Sequence, residues 1–239
     1  MEIEKQVVKR AIILASGLGK RIQPVSFETP KPLITVNGNR MIDTVIDALK
    51  QNGITEIYIV IGHLKEKFNA YAGITGITLI ENPYYLTSNN ISSLYVARDY
   101  LEECMILDGD QIVRNSVALA PAFYRSGYNA VWTDHETNEW LMNVENGIVK
   151  SCSRNGGSHG WQLYSVSRWS AKDGKMLRQC VEQEYESGHT DIYWDDVPLF
   201  LHSDKFRLGI HEMGPEDIVE IDGIEELAAE DAEYRKYLD

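Results

Sequence analysis

Cysteine is scarce in this chain: Cys104, Cys152 and Cys180 are the only three in 239 residues. An odd, sparse set without C-x-x-C spacing argues against a disulfide framework and a structural zinc site, and a reducing, cytoplasmic setting is expected. Basic residues are also few, with 23 Lys and Arg against 36 Asp and Glu, a formal charge of −13. That balance opposes a broad basic face for a phosphate backbone and argues against nucleic acid as a partner. An anionic ligand would have to meet a local cluster of cations and arrive with a divalent metal ion. No apolar run approaches the roughly 20 residues needed to cross a bilayer, and Met1 to Arg10 alternates charge with short apolar steps, so neither membrane insertion nor a signal peptide is expected. The histidines show no H-x-x-x-H or H-E-x-x-H spacing and there is no G-x-S-x-G elbow, which leaves zinc-hydrolase and serine-hydrolase chemistry without support.

What is present is an ordinary globular composition, 44% hydrophobic and 25% charged. At about 150 residues per domain, the length suits one large domain or one with an excursion. The run Ala11-Ile12-Ile13-Leu14-Ala15, preceded by Val7-Val8 and closed by a glycine-rich stretch, reads as a strand buried on both faces, as in a parallel sheet. Met41, Val45, Ile46 and Leu49 repeat at helical spacing up to the stop Asn52-Gly53. A strand at 57–61, a helix at 64–72, a strand at 77–81, a helix near 92–102 and a strand at 104–108 continue the rhythm. Such βα alternation implies an open sheet flanked by helices, with ligands beyond the carboxyl ends of the strands. From about 129 the pattern changes to short strands (130–132, 141–144, 148–149, 162–166) with Asn-Gly and Gly-Gly turns, an antiparallel signature. A helix at 171–187, a strand near 207–213 and an acidic helical ending follow.

The most informative segment is Leu14-Ala15-Ser16-Gly17-Leu18-Gly19-Lys20-Arg21, with Thr29-Pro30-Lys31-Pro32 after it. Gly17 and Gly19 allow close backbone approach to a phosphate, while Lys20, Arg21 and Lys31 gather cations in an otherwise acidic chain, so the segment reads as a polyphosphate site. It matches neither a Walker A loop nor the dinucleotide fingerprint G-x-G-x-x-G. It resembles the G-x-G-x-R and Pro-Lys signature of the nucleotidyltransferases that activate sugar phosphates and alcohol phosphates, within them the bacterial CTP:phosphocholine cytidylyltransferase group. Asn89-Asn90 with Ser93-Leu94-Tyr95, Thr137-Asn138-Glu139-Trp140, Tyr193-Trp194-Asp195 and Glu220-Ile221-Asp222 resemble that group's later motifs, in the same order and over essentially the whole chain.

The resemblance implies a single α/β nucleotidyltransferase domain over 1–239, built on a Rossmann-like open mixed sheet of the nucleotide-diphospho-sugar transferase type with a small antiparallel excursion. About 1–128 would bind CTP, and about 129–239 would bind the acceptor and supply a second metal carboxylate. CTP would lie over Leu14, Ala15, Ser16, Gly17, Gly19, Lys20 and Arg21. Asp108 and Asp110 follow an apolar strand, and Asp222 follows Val219-Glu220-Ile221; the resemblance makes Asp110 and Asp222 ligands of Mg²⁺, a hard ion suited to carboxylate oxygens, with Asp108 in support. The implied reaction is in-line attack of an acceptor phosphate on the α-phosphorus of CTP with loss of pyrophosphate. Arg21 would neutralise the leaving group and Lys31 the transition state, with Asp110 completing the catalytic set. Asn89 and Asn90 are open to two readings, as contacts to the cytosine or ribose or as a helix N-cap ahead of Ile91.

Aromatic and acidic residues coincide in the second half, and a quaternary ammonium is held by aromatic faces together with carboxylates. The resemblance points to Trp140, Tyr193, Asp195 and Glu220 as walls of a choline site, with phosphoethanolamine or 2-aminoethylphosphonate as alternative acceptors. Trp132 and Trp169, together with Trp161, are expected in the core. The expected product is CDP-choline, and a homodimer is compatible with the chain.

Overall fold

The computed structural model describes residues 4–238. In chain order the elements are β1 (Gln6–Val7), β2 (Arg10–Ala15), β3 (Thr35–Val36), β4 (Asn39–Arg40), α1 (Met41–Gln51), β5 (Glu56–Ile61), β6 (Ile77–Glu81), α2 (Ile91–Val96), β7 (Cys104–Asp108) and β8 (Gln111–Val113). They continue with β9 (Ala122–Phe123), β10 (Gly127–Thr133), β11 (Leu141–Glu145), β12 (Ile148–Ser153), β13 (Gly160–Trp169), α3 (Ala171–Glu186), β14 (Gly209–Glu212), β15 (Ile218–Glu220) and α4 (Ile224–Glu230). The expected helix at 64–72 is a 3₁₀ helix at Lys65–Tyr71, and Val7 belongs to the short β1 rather than to β2.

Strands β7, β2, β5 and β6 lie side by side and parallel. Their apolar residues alternate between two cores, as strands covered on both faces require. Ala11, Ile13, Ile57, Ile59, Met105 and Leu107 face one core with Ile42, Val45, Ile46 and Leu49 of α1. Ile12, Leu14, Val60 and Ile106 face the other, against Ile91 and Leu94 of α2 and Leu177, Cys180 and Val181 of α3. Helix α3 starts at Ser170, whose Oγ accepts the Asp173 N–H at 3.1 Å. Gly174 lets it sit close to the sheet, since a Cβ there would stand 2.0 Å from the Leu101 carbonyl oxygen.

The antiparallel region is continuous with this sheet. Strand β13 pairs antiparallel with β7 over Val166–Trp169 and with β10 along its length, while β14 adds to β10 in parallel over Gly127–Ala130. β11 joins the edge of β13 only at Trp161 and Gln162. Between Gln162 and Val166 that edge is therefore open, with β7 ending on one side and β11 beginning on the other. This fork opens at the carboxyl end of β7.

Candidate active site

The glycine-rich loop leaves β2 and turns at Gly19, which has φ 62°. A Cβ at Gly19 would lie 3.1 Å from that of Ser26 and 3.3 Å from that of Lys31, so the loop and the Lys31 segment meet without room for a side chain. Ser26 Oγ donates to the Gly19 carbonyl at 2.8 Å and closes the turn. Beneath it, Ser16 Oγ lies 2.7 Å from Ser93 Oγ, and Asn82 Nδ2 donates to Ser92 and Ser93 at 3.0 and 3.2 Å. This buried polar knot ties the loop to the start of α2.

A third apolar cluster carries the C-terminal segment to the loop: Ile22, Ile34, Val36 and Met41 pack on Ile221 and Leu227. The short β8–β15 ribbon, with Glu220 opposite Gln111, sets the register. Asp222 consequently meets residues some two hundred positions away: its Oδ1 accepts from Arg21 Nη2 at 2.8 Å and from Lys31 Nζ at 3.3 Å. Lys31 Nζ also lies 2.5 Å from Asp110 Oδ2, and its side chain is only 10% exposed. Burial alone would lower the Lys31 pKa, but Asp110 and Asp222 overcome it and raise the value, keeping the ammonium charged.

Two clefts open on this centre. The larger, about 670 Å³, is lined by Leu14 to Arg21, Lys31, Asn89, Asn90, Asp108, Asp110 and Asp222. The smaller, about 360 Å³, occupies the fork and is lined by Leu163, Ser165, Glu139, Trp140, Tyr193, Asp195 and Glu220. Arg21, Asn90, Asp108, Asp110 and Asp222 line both, so a ligand in one cleft abuts a ligand in the other. The open edge of β13 is capped by polar groups: Leu163 N–H donates to the Trp140 carbonyl at 2.8 Å and Ser165 N–H to Glu220 Oε1 at 3.1 Å.

The acids of the smaller cleft are strained electrostatically. Burial first, then Asp110, Asp195 and Glu220, push Asp108 well above the ordinary carboxylate range. Burial likewise raises Asp195 to about 7 and Glu220 to about 7. The Tyr128 hydroxyl sits near enough to Asp195 to temper its rise, yet neither that hydroxyl nor Asp195 Oδ1 completes a hydrogen bond. A buried carboxylate oxygen without a completed hydrogen bond is costly, which adds to the preference for the protonated acid. Walls of Trp140 and Tyr193, edge to face at 5.8 Å, stand beside it.

A loop of this kind after the first sheet strand, with basic residues over a nucleotide-sized cleft, has relatives. Residues 11–189 match the model of the MobA-like NTP transferase domain. The chain belongs to that family. The transferase is 38% identical over 94% of its length to a 2-aminoethylphosphonate cytidylyltransferase of Lancefieldella rimae, covering 92% of that protein. It is 32% identical over 91% of its length to a choline-phosphate cytidylyltransferase of Streptococcus pneumoniae, covering 94% of that protein. The solved structure of the CTP:phosphocholine cytidylyltransferase from Streptococcus pneumoniae superimposes with a TM-score of 0.84 at 30% identity, covering 96% of this chain and 99% of that one. The transferase is thus a nucleotidyltransferase enzyme with the Rossmann-like mixed sheet, and no helix among the described residues is long and apolar enough to cross a membrane.

Every residue expected to bind nucleotide, acceptor or metal, or to act in the reaction, lies on one of the two clefts. Asn90 does stand at the N-cap position of α2, but its side chain does not cap the helix; Asn90 Oδ1 accepts the Trp194 N–H at 2.8 Å and Asn89 Oδ1 accepts the Asn90 N–H. Trp169 is fully buried, whereas Trp132, also expected in the core, is 46% exposed. It lies past Ala130, where β14 stops covering β10. Trp161, opposite it, is partly buried. Two lining residues carried no motif, Ser165 in the fork and Asp191 in the larger cleft, and neither did Gln111, which lies behind the fork and donates to Glu220 Oε1 at 2.7 Å. Asp191 was within reach of the Tyr193-Trp194-Asp195 motif; Ser165 and Gln111 gain meaning only from strand register.

Proposed function

We propose that the transferase is a Mg²⁺-dependent cytidylyltransferase that condenses CTP with a small phosphate bearing a cationic head, phosphocholine in the first reading, and releases pyrophosphate. In this reading CTP occupies the larger cleft, built mainly from residues 1–128, and the acceptor occupies the fork, built mainly from 129–239. The observation that carries the reading is the junction: Asp110, Asp222, Lys31 and Arg21 stand where a nucleotide's phosphates and an acceptor phosphate would meet. The overall identity of 38% and 32% to relatives named as cytidylyltransferases supports the reading.

Nucleotidyl transfer needs two anions aligned and neutralised, not a covalent protein nucleophile. An acceptor phosphate oxygen forms a bond to the α-phosphorus, the bond to the bridging oxygen breaks, and pyrophosphate leaves with the electron pair. The attacking oxygen is already anionic, so no residue need remove a proton. Lys31, held charged by two carboxylates, neutralises the α-phosphate as charge builds on it. Arg21, exposed at the mouth, meets the pyrophosphate. Among the described residues no cluster of three or more metal-ligating side chains is preformed. The donor set nevertheless fits Mg²⁺, which takes one or two carboxylates plus substrate phosphates: oxygens of Asp110 and Asp222 already converge on one cation, the Lys31 ammonium. Bound there, the metal ion would neutralise phosphate charge.

A second acceptor is favoured by a specific observation. Asp195, Glu139 and Glu220 line the fork, and carboxylates can accept the N–H bonds that the primary ammonium of 2-aminoethylphosphonate gives and a quaternary ammonium does not. Pyrophosphate release with CTP and Mg²⁺ tests both, across phosphocholine, phosphoethanolamine, 2-aminoethylphosphonate and glucose 1-phosphate, with Asp110→Ala as control. Turnover with the cationic acceptors and not with the sugar phosphate supports the reading; the preferred head group assigns the acceptor. Turnover with glucose 1-phosphate alone, or none at all, refutes it.

A further inference from the structure

The acceptor pocket is braced from behind by a residue that touches neither cleft. Arg154 follows β12, and its guanidinium lies 4.1 Å from the centre of the Phe200 ring and 5.6 Å from that of Trp140. Its Nη2 forms an ion pair with Asp196 Oδ1. The other Asp196 oxygen accepts the Tyr193 N–H at 3.0 Å. Trp140 in turn packs edge to face on Phe200 at 5.6 Å and on Tyr193 at 5.8 Å. Asp196 is 6% exposed and Arg154 47%, so an otherwise isolated buried carboxylate is neutralised by a cation reaching in from the surface. Neither residue of this pair lines the pocket, whereas Trp140, Tyr193 and Asp195 all do.

We infer that Arg154 is a positioning residue for acceptor recognition: it holds the Trp140 wall against the Tyr193–Asp196 turn and takes up the charge of Asp196, so that Asp195 is the carboxylate of that turn presented to the acceptor's cationic head. This rests on the fork being the acceptor site. Two features of arginine are used together, its flat cation beside the Phe200 and Trp140 rings and its Nη2 ion pair with Asp196, where lysine would bring only a point charge. Of the nucleotide cleft, Asn90 touches that turn, its Oδ1 accepting the Trp194 N–H, whereas Lys31, Arg21 and the glycine loop are fixed by separate contacts.

The test is steady-state kinetics of Arg154→Ala, Arg154→Lys, Asp196→Asn and the Arg154→Ala/Asp196→Asn pair, with CTP and Mg²⁺ and with phosphocholine or 2-aminoethylphosphonate, alongside thermal melts. Arg154→Ala should raise the acceptor KM roughly tenfold or more while the CTP KM stays within about twofold. Arg154→Lys should fall between parent and Arg154→Ala. The paired variant should be no worse than Arg154→Ala, because removing the Asp196 charge leaves nothing uncompensated. Should Arg154→Ala fail to fold, Arg154→Lys and the isosteric Asp196→Asn carry the same KM comparison. An unchanged acceptor KM in an active enzyme overturns the role of Arg154 alone, as does a CTP KM that rises in step. Single effects that simply multiply in the paired variant overturn the route through Asp196. A parent protein inactive with both acceptors overturns the cytidylyltransferase reading and this inference together.

Discussion

Lys31→Ala is the most informative substitution. Among the described residues Lys31 Nζ pairs with both Asp110 and Asp222, at 2.5 and 3.3 Å, and its side chain is 10% exposed. In the proposed mechanism it is a preorganised cation aimed at charge that develops on the α-phosphate, and removing one such group costs about 3 to 4 kcal/mol, or 10²–10³ in rate. The loss should appear in kcat/KM for both substrates, since the contact strengthens in the transition state. Stability should respond separately. Without the ammonium, Asp110 loses its cation and Asp222 keeps only the exposed Arg21, and although solvent screens the two carboxylates, at 28% and 37% exposure, the variant should melt below the parent when Mg²⁺ is absent. Mg²⁺ should then raise the melting temperature of the variant more than that of the parent, in which Lys31 competes for the same oxygens. Pyrophosphate release and melts with and without Mg²⁺ measure both effects. A Lys31→Ala enzyme within about threefold of the parent would refute the catalytic argument. Equal Mg²⁺ shifts would refute the shared position.

Two pH-dependent predictions follow from buried groups elsewhere. Asp195 is raised to about 7, so it is protonated in the folded protein at pH 6 and ionised at pH 8. Acceptor kcat/KM should rise with pH through about 7, and Asp195→Asn should weaken that limb, leaving the part contributed by Glu220, which is also raised to about 7. Because its folded pKa is raised, Asp195 favours the fold below its ordinary range and loses that contribution as pH climbs through about 7, so Asp195→Asn should also melt higher at pH 8. His211 shows the opposite sign: burial, then the Arg168 charge, lower it to about 3 from 6.5. Its contribution is complete above pH 6.5 and lost as pH falls toward 3. Urea titrations should show a stability loss of about 2 kcal/mol between pH 7 and pH 5 that His211→Gln substantially reduces. An identical acid limb in the variant would discount the histidine.

The parallel half of the fold was legible because strands buried on both faces must be apolar without interruption, and Ala11–Ala15, Ile57–Ile61 and Cys104–Leu107 are. Position in the chain then located the chemistry, since Gly17–Arg21 and Asp108–Asp110 directly follow such strands. The tryptophans were less legible. Trp132 and Trp169 each lie near the end of a strand, yet Trp169 packs edge to face on Trp194 in the core while Trp132 is exposed. The difference is the length of β14, which pairs with β10 only as far as Ala130. Asn90 presented a similar ambiguity, which the Trp194 amide resolves by occupying the side-chain oxygen that would have capped α2.

Local sequence therefore determined the elements, the glycine loop, and which acids and cations were available, because strand burial, turn conformation and side-chain chemistry act over a few residues. It did not determine which of them meet. Arg21 and Asp222 lie 201 positions apart and Gln111 and Glu220 109 apart, and their contacts follow from the packing of Ile22 on Ile221 and the β8–β15 register. The acceptor cleft is likewise a product of strand ends, the opening left where β7 stops before β11 begins along β13. Burial in that opening leaves Asp195 without a hydrogen-bond donor, and burial is a property of the assembled sheet rather than of any segment.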